Sequence, residues 1–428
     1  MAIHQDMLHV TKYEVLGKLP DLMTFEDGTP FTDASQWERR REELYATAVD
    51  LQFGGMPPEP EFVEVEQLNY NAGVATYHVH TGTRACPITF TMTLMIPNGG
   101  GSFPVIVDGD MCFPCHFNRE FLDAALKEGI GWLFFNRTEI AHDMGTRKGQ
   151  IYDTYPGAQF SATSAWAWGY SRCVDAMEIL FGNRKSPMVD LSRIAFTGHS
   201  RGGKTAMLAG AVDRRAAVVN PNETCAGGCG CYRIHMEGYC DGIPANRSET
   251  LDDLWRVFAF WLGPNMEQYT KREQDLPFDS HYLKAMVAPR VLFVSEAAGD
   301  VWANPVGSWM TTKATESVYG LLGKPENLYW YFREGTHFHN PEDVRMLVNV
   351  IKRLKNPETP LSENFFKTPF VPPEPIYYGG TPYVGIKSPE ATAACGAFVL
   401  DPASGGRWCG ILKKCTKSQM IPNIVYCI

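Results

Sequence analysis

Residues 190–212 carry the feature that most constrains what this chain can fold into. Arg193-Ile-Ala-Phe-Thr197 is a short apolar run of the buried-strand type. From Lys204 onward the sequence is rich in Ala, Met and Leu and reads as a helix. Between them stands Gly198-His199-Ser200-Arg201-Gly202, a G-x-S-x-G match. Its glycines permit a sharp strand-to-helix turn with a strained residue at the apex, where a larger side chain at either position would clash. Ser200 is therefore expected to present its hydroxyl above a sheet as a nucleophile. The backbone N–H of Arg201, which opens the helix, is placed to meet an oxyanion. The plainer alternative is an ordinary strand–helix turn without chemistry.

The rest of the chain is laid out around that turn. Residues 1–60 read as an extended, polar N-terminal segment with one helix over 34–51, ended by Pro57-Pro-Glu-Pro60. Strands at 62–68, 73–81 and 87–96 have the alternating period of an antiparallel sheet with one half-exposed face. Beyond the turn Asn98-Gly-Gly-Gly-Ser102 the pattern changes. Apolar strands at 103–108, 130–136, 193–197, 216–221, 290–295 and 328–332 now alternate with helices at 119–127, 164–181, 204–212, 251–262, 308–322 and 341–354. This alternation implies right-handed crossovers and a mostly parallel sheet with helices on both faces. Antiparallel N-terminal strands leading into such a sheet are the layout of an α/β-hydrolase three-layer sandwich, expected over 61–360. Residues 226–250 have too much Gly, Cys and Arg for regular structure and read as an insertion that shapes a cleft. Residues 361–428 read as a linker, Val371-Pro-Pro-Glu-Pro375, and a loosely packed tail.

Charge and composition narrow the function. The 428 residues carry 39 Lys and Arg against 48 Asp and Glu, a net charge of −9, so a basic surface for nucleic acid is not expected. No apolar run reaches the ~18 residues of a membrane span. The first ten residues have neither a basic nor an apolar signal region, which by itself implies a cytoplasmic protein, or a secreted one if a leader has been removed. The 12 cysteines are too few for a disulfide framework in a chain this long. Cys225, Cys229, Cys231 and Cys240 lie close together, but their spacing lacks the paired C-x2-C hooks of structural zinc. No metal and no cofactor is expected; the expected partner is a small-molecule or oligosaccharide ester as substrate, and the protein is expected to be a monomer.

A serine nucleophile needs a base to take its proton and an acid to hold that base. Among 11 histidines, His337 lies in the loop after the strand at 328–332, where the base of an α/β-hydrolase falls. His339 shares the loop but stands nearer the cap of the next helix. His199 is inside the turn and cannot reach round to its neighbour's hydroxyl. His78 and His80 are most simply two strand residues on one face. Two acids compete for the third place. Asp300 ends the loop after the strand at 290–295, the usual position of the acid, and Glu223 follows the strand at 216–221. Both loops open on the C-terminal edge of the sheet, and the pattern alone favours Asp300.

Several stretches together resemble the glucuronoyl esterases (4-O-methyl-glucuronoyl methylesterases), a carbohydrate esterase family of the α/β-hydrolases. They are Leu19-Pro-Asp21 with Trp37-Glu-Arg-Arg-Arg41, Ser164-Ala-Trp-Ala-Trp-Gly-Tyr-Ser-Arg172, Gly198-His-Ser-Arg-Gly-Gly-Lys204, Leu276-Pro-Phe-Asp279, Ala288-Pro-Arg290, Asp300-Val-Trp302 and the His337 loop. They run in order through about residues 15–355. The resemblance implies Ser200 as nucleophile and His337 as base. It shifts the choice of acid to Glu223, with Asp300 as partner or substitute. It further implies that the Arg201 guanidinium meets the oxyanion, that Lys204 hydrogen-bonds sugar hydroxyls, and that Trp302 lines a glucuronate pocket. An exposed helix lysine and a core tryptophan are the plainer readings of the last two. The insertion around 238–249 diverges from the family, so no further sugar contacts carry over. The activity implied is hydrolysis of an ester on the C6 carboxyl of (4-O-methyl-)glucuronate, as in lignin–xylan links. A general acetyl xylan-type or small-ester esterase, and a catalytically silent glycan-binding relative, are the competing readings.

Overall fold

A computed structural model describes residues 9–112, 119–184, 188–240, 243–370 and 376. Backbone contacts divide the chain into a unit Met1–Ile386 and a unit Lys387–Ile428, and every described residue belongs to the first. The expected linker and tail, apart from residues 361–370 and 376, lie outside the described residues.

In chain order the elements are β1 (His9–Val15), α1 (Trp37–Tyr45), β2 (Phe62–Asn71), β3 (Val74–Gly82), β4 (Pro87–Met95), β5 (Phe103–Asp108), α2 (Arg119–Leu126), β6 (Gly131–Phe135), α3 (Gln150–Thr154), α4 (Ala162–Phe181) and β7 (Val189–His199). The second half continues with α5 (Arg201–Val212), β8 (Ala216–Asn222), β9 (Ile234–Cys240), β10 (Ile243–Arg247), α6 (Leu251–Phe258), α7 (His281–Val287), β11 (Val291–Ala297), α8 (Pro305–Leu321), β12 (Leu328–Arg333) and α9 (Pro341–Arg353). A nine-stranded sheet runs β12-β11-β8-β7-β5-β6-β4-β3-β2. The six strands from β12 to β6 are parallel, and β4, β3 and β2 join antiparallel. The chain thus forms the α/β-hydrolase three-layer sandwich that its sequence pattern implies.

The layers follow from side chains alternating across each strand. Val105 and Val107 of β5, Leu133 and Phe135 of β6, and Ile194 and Phe196 of β7 face the core shared with α4, α5 and α7. Their neighbours Ile106, Trp132, Phe134 and Ala195 face the opposite core, closed by α2 and α9. Because both faces are covered, the buried stretches of these strands, such as Ile194–Phe196 and Val105–Val107, are apolar on both sides rather than alternating. The N-terminal segment joins the first core through Phe31, Trp37, Leu44, Val49 and Phe53, and its helix continues into a π-helical stretch over Ala46–Leu51.

Two departures from the sequence reading bear on the site. Residues 226–250 are not irregular throughout: β9 and β10 form an antiparallel pair, and β9 also pairs with β1. The partner lies more than two hundred residues upstream, so no local pattern announces it. The helix at 251–262 breaks into α6 and a 3-10 turn, Ala259–Trp261, which brings Trp261 toward the nucleophile turn. No helix among the described residues is long and apolar enough to cross a membrane.

Candidate active site

The turn between β7 and α5 is as tight as its glycines require. Ser200 sits at φ 55 and ψ −119, a left-handed backbone that costs a non-glycine residue about 1–2 kcal/mol. A Cβ on Gly198 would stand 2.4 Å from the carbonyl oxygen of Gly202, and one on Gly202 would stand 2.2 Å from the Asp110 carboxylate. Asp110 braces the turn: its Oδ2 accepts the His199 N–H at 3.1 Å, and Arg137 donates to its Oδ1. The Ser200 N–H donates to the Asn222 carbonyl at 2.9 Å, which fixes the turn against β8.

His337 reaches this serine from the loop after β12. Its Nε2 lies 2.9 Å from Ser200 Oγ and its Nδ1 2.6 Å from Asp300 Oδ2. Asp300 Oδ1 accepts the Ala303 N–H at 3.1 Å, so both carboxylate oxygens are engaged. The loops bearing Asp300 and His337 are tied by Gly299 N–H donating to the Gly335 carbonyl at 2.9 Å. His339 points elsewhere, its ring parallel to that of His199 at 5.6 Å and edge-on to Phe121 at 5.0 Å. His199 turns away from Ser200 toward Asn222 Oδ1, 2.7 Å from its Nδ1.

The two acids stand in the opposite order to the one the family resemblance implies. Glu223 Oε2 is 3.6 Å from His337 Nδ1, beyond hydrogen-bond range, while Asp300 is in direct contact. The reason is Arg333, which binds Glu223 Oε1 and the Phe338 carbonyl through Nη2 and Asp343 through Nε at 2.8 and 3.0 Å. Burial pushes the Glu223 carboxyl well above its usual pKa, and Arg333 pulls it back. Burial disfavours the Arg333 charge, but Glu223 and Asp343 outweigh it and raise its pKa.

Arg201 and Lys204, one helical turn apart on α5, both approach the Trp261 ring. Arg201 Nη1 donates to Asp143 Oδ2 at 2.9 Å, and its guanidinium carbon lies 4.9 Å over the Trp261 ring. Trp261 donates to the other Asp143 oxygen at 3.0 Å. Lys204 is not an exposed helix lysine: its side chain is 7% exposed and its Nζ donates to Glu249 Oε2 at 2.7 Å. Burial raises the pKa of the Glu249 carboxyl, and Lys204 opposes that shift. Half-buried Trp302 is tied to this pair through its carbonyl, which accepts the Glu249 N–H at 3.1 Å. Sequence reasoning does not reach Asp110, Asp143, Glu249 or Trp261, because their contacts to the site join distant parts of the chain and none stands in a motif; Arg333 lies at the start of the His337 loop, but its pairing with Glu223 is equally long-range.

Cys225, Cys229 and Cys231 are free and buried, with separate neighbours in the Glu223 carbonyl, Met207 and Asp279. The side chain of Cys240 lies outside the described residues.

Comparisons with known proteins converge on one family. The family model described as "Glucuronyl esterase, fungi" matches residues 79–323. A 4-O-methyl-glucuronoyl methylesterase of Schizophyllum commune is 32% identical over 328 residues, 75% of this chain and 77% of that protein. 4-O-methyl-glucuronoyl methylesterase 1 of Wolfiporia cocos is 30% identical over 331 residues, 75% of this chain and 76% of its own length. The solved carbohydrate esterase family 15 glucuronoyl esterase from Caldicellulosiruptor kristjansonii superposes with a TM-score of 0.69 at 27% identity, over 82% of this chain and 92% of that one. With a family model matching more than half its length and relatives at 30% identity or above over three quarters of it, this chain belongs to the glucuronoyl esterase family.

Proposed function

We propose that this protein hydrolyses an ester on the C6 carboxyl of glucuronate or 4-O-methyl-glucuronate through an acyl-enzyme on Ser200. The observation that carries the acyl-enzyme is the unbroken relay from Ser200 Oγ to His337 at 2.9 Å and on to Asp300 at 2.6 Å, and the glucuronate ester is supported by the 4-O-methyl-glucuronoyl methylesterases this chain is similar to. His337 Nε2 takes the Ser200 proton as Oγ attacks the ester carbon, and Asp300 holds the ring tautomer and the imidazolium that forms. Negative charge develops on the carbonyl oxygen beside the N-terminus of α5, where the Arg201 N–H and guanidinium meet it. A cation there gains more from the oxyanion than from the neutral ester, so it accelerates the step rather than only binding substrate. Collapse breaks the C–O bond to the alcohol, which leaves with the proton from His337. Water, deprotonated by the same histidine, then frees the acid and restores Ser200.

Recognition of the sugar falls to Lys204, Glu249 and Trp302. An ammonium has three N–H donors. With Glu249 taking one, Lys204 has donors for sugar hydroxyls, while Glu249 supplies acceptors beside them. Trp302 gives the ring an apolar face. The test is kcat/KM on benzyl glucuronate beside an aryl acetate and acetylated xylan. The glucuronate ester is expected to be turned over far more efficiently than either acetyl substrate. Equal or better turnover of the acetyl substrates would replace this reading with a general carbohydrate or small-ester esterase.

Asp143 acts in this scheme as a positioning residue, since it fixes the Arg201 guanidinium and the Trp261 ring beneath it. Asp143→Ala is expected to lower kcat by about tenfold to a hundredfold with KM little changed. Arg201→Ala, which removes the donor itself, should cost about 10²–10³. A loss of thermal stability with kcat unchanged would leave Asp143 a purely structural role.

A further inference from the structure

Far from the nucleophile turn, at the antiparallel end of the sheet, three metal-ligating side chains converge. His78 and His80 alternate along β3 with Tyr77 and Val79, which are buried, so both imidazoles project from the half-exposed face. The strand pairing adds a third donor that the sequence does not suggest: Glu66 of β2 lies directly opposite His78. Glu66 Oε2 is 3.3 Å from His80 Nε2. One donor atom from each of Glu66, His78 and His80 lies within 4.8 Å of the other two. A tetrahedral ion with bonds of 2.0–2.1 Å needs donors about 3.4 Å apart. The required contraction is small for an exposed glutamate and two rings that turn about their own axes.

We propose that Glu66, His78 and His80 form a binding site for a divalent transition-metal ion of the zinc class. Two imidazoles and one carboxylate are the donor set such ions favour over magnesium or calcium. His80 is already oriented for the task, because its Nδ1 lies 2.9 Å from Thr89 Oγ1 on β4. When Nδ1–H is donated to that hydroxyl, the outer-shell arrangement that ligating histidines commonly have, Nε2 is the free ligand atom, and an ion between it and Glu66 Oε2 would replace their present hydrogen bond. Glu64, the neighbouring acid on the same face, is held by Arg84 at 2.7 Å and stays outside the donor set. Three protein ligands leave the ion open to water. The other His- and Glu-containing cluster among the described residues, His199, Glu223 and His337, belongs to the candidate active site. The edge site has no part in ester hydrolysis. It would strap β2, the outermost strand of the sheet, to β3 beside the irregularity between Gln67 and Asn69.

The test uses the full chain stripped with a chelator, titrated with Zn²⁺ by calorimetry and with Co²⁺ by visible absorption. One equivalent should bind, without the thiolate charge-transfer bands that cysteine ligation would give. Binding should weaken at least tenfold in His78→Ala and in His80→Gln, less in Glu66→Gln, and not at all in His337→Ala. Esterase activity of the His78, His80 and Glu66 variants, and of the stripped enzyme, should match that of the untreated protein, which also shows that they fold. Binding retained by the His78→Ala, His80→Gln double variant, binding lost in His337→Ala, thiolate bands, or no binding at all would each overturn the proposal.

Discussion

Ser200→Ala is expected to lower kcat/KM on a glucuronate ester by about 10⁶-fold, and His337→Ala by a similar factor, because nucleophile and base act as a unit. The replacement keeps a Cβ and the same left-handed backbone, so the turn between β7 and α5 and the packing of Gly198 against Gly202 should survive. Unchanged thermal melting alongside lost activity is the expected pair of readings. His339→Ala should retain most activity, since its ring stacks on His199 and lies off the line from Ser200 to Asp300. A dead His339→Ala with an active His337→Ala would move the role of base to His339.

The second large effect concerns the two acids. Asp300→Ala is expected to cost about 10²–10³ in kcat/KM, below the roughly 10⁴ seen when a triad acid has no substitute. A substitute exists, because Glu223 Oε2 stands 3.6 Å from the same ring nitrogen. A small tilt of the imidazole into the space left by Asp300 would close that gap. Glu223→Ala alone should cost no more than about tenfold, since Asp300 keeps its contact and Arg333 keeps Asp343. The double variant should lose about 10⁴-fold, more than the two losses multiplied when Glu223→Ala alone is near neutral, because each acid partly covers for the other. Kinetics of both singles and the double decide the matter. A larger loss in Glu223→Ala than in Asp300→Ala would make Glu223 the principal acid and Asp300 its substitute.

The acids also show where sequence reading stops. The strand–turn–helix at Ser200, the alternation of strands and helices, and the late histidine loop are local patterns, and each is legible because a period or a motif fixes it. Position along the chain points to Asp300, whereas the family resemblance points to Glu223. The deciding contact is the Glu223–Arg333 ion pair, whose partners are 110 residues apart, and no periodicity reports such a pairing. The same holds for Asp143 with Arg201, 58 residues apart, and for Lys204 with Glu249. The β9–β10 pair is hidden for a related reason. Its Gly- and Cys-containing sequence has weak strand propensity, and it becomes sheet by pairing with β1 at the far end of the chain. The short helix α7, of seven residues, offers barely two turns of period, too few to stand out from its surroundings.

The acyl-enzyme itself can be caught by quenching turnover of an aryl glucuronate ester with acid and mapping the protein's peptides by mass. A glucuronoyl group on the peptide that contains Ser200, absent in Ser200→Ala, is the predicted result. A glucuronoyl group on any other residue, or turnover by Ser200→Ala equal to that of the native protein, would contradict it.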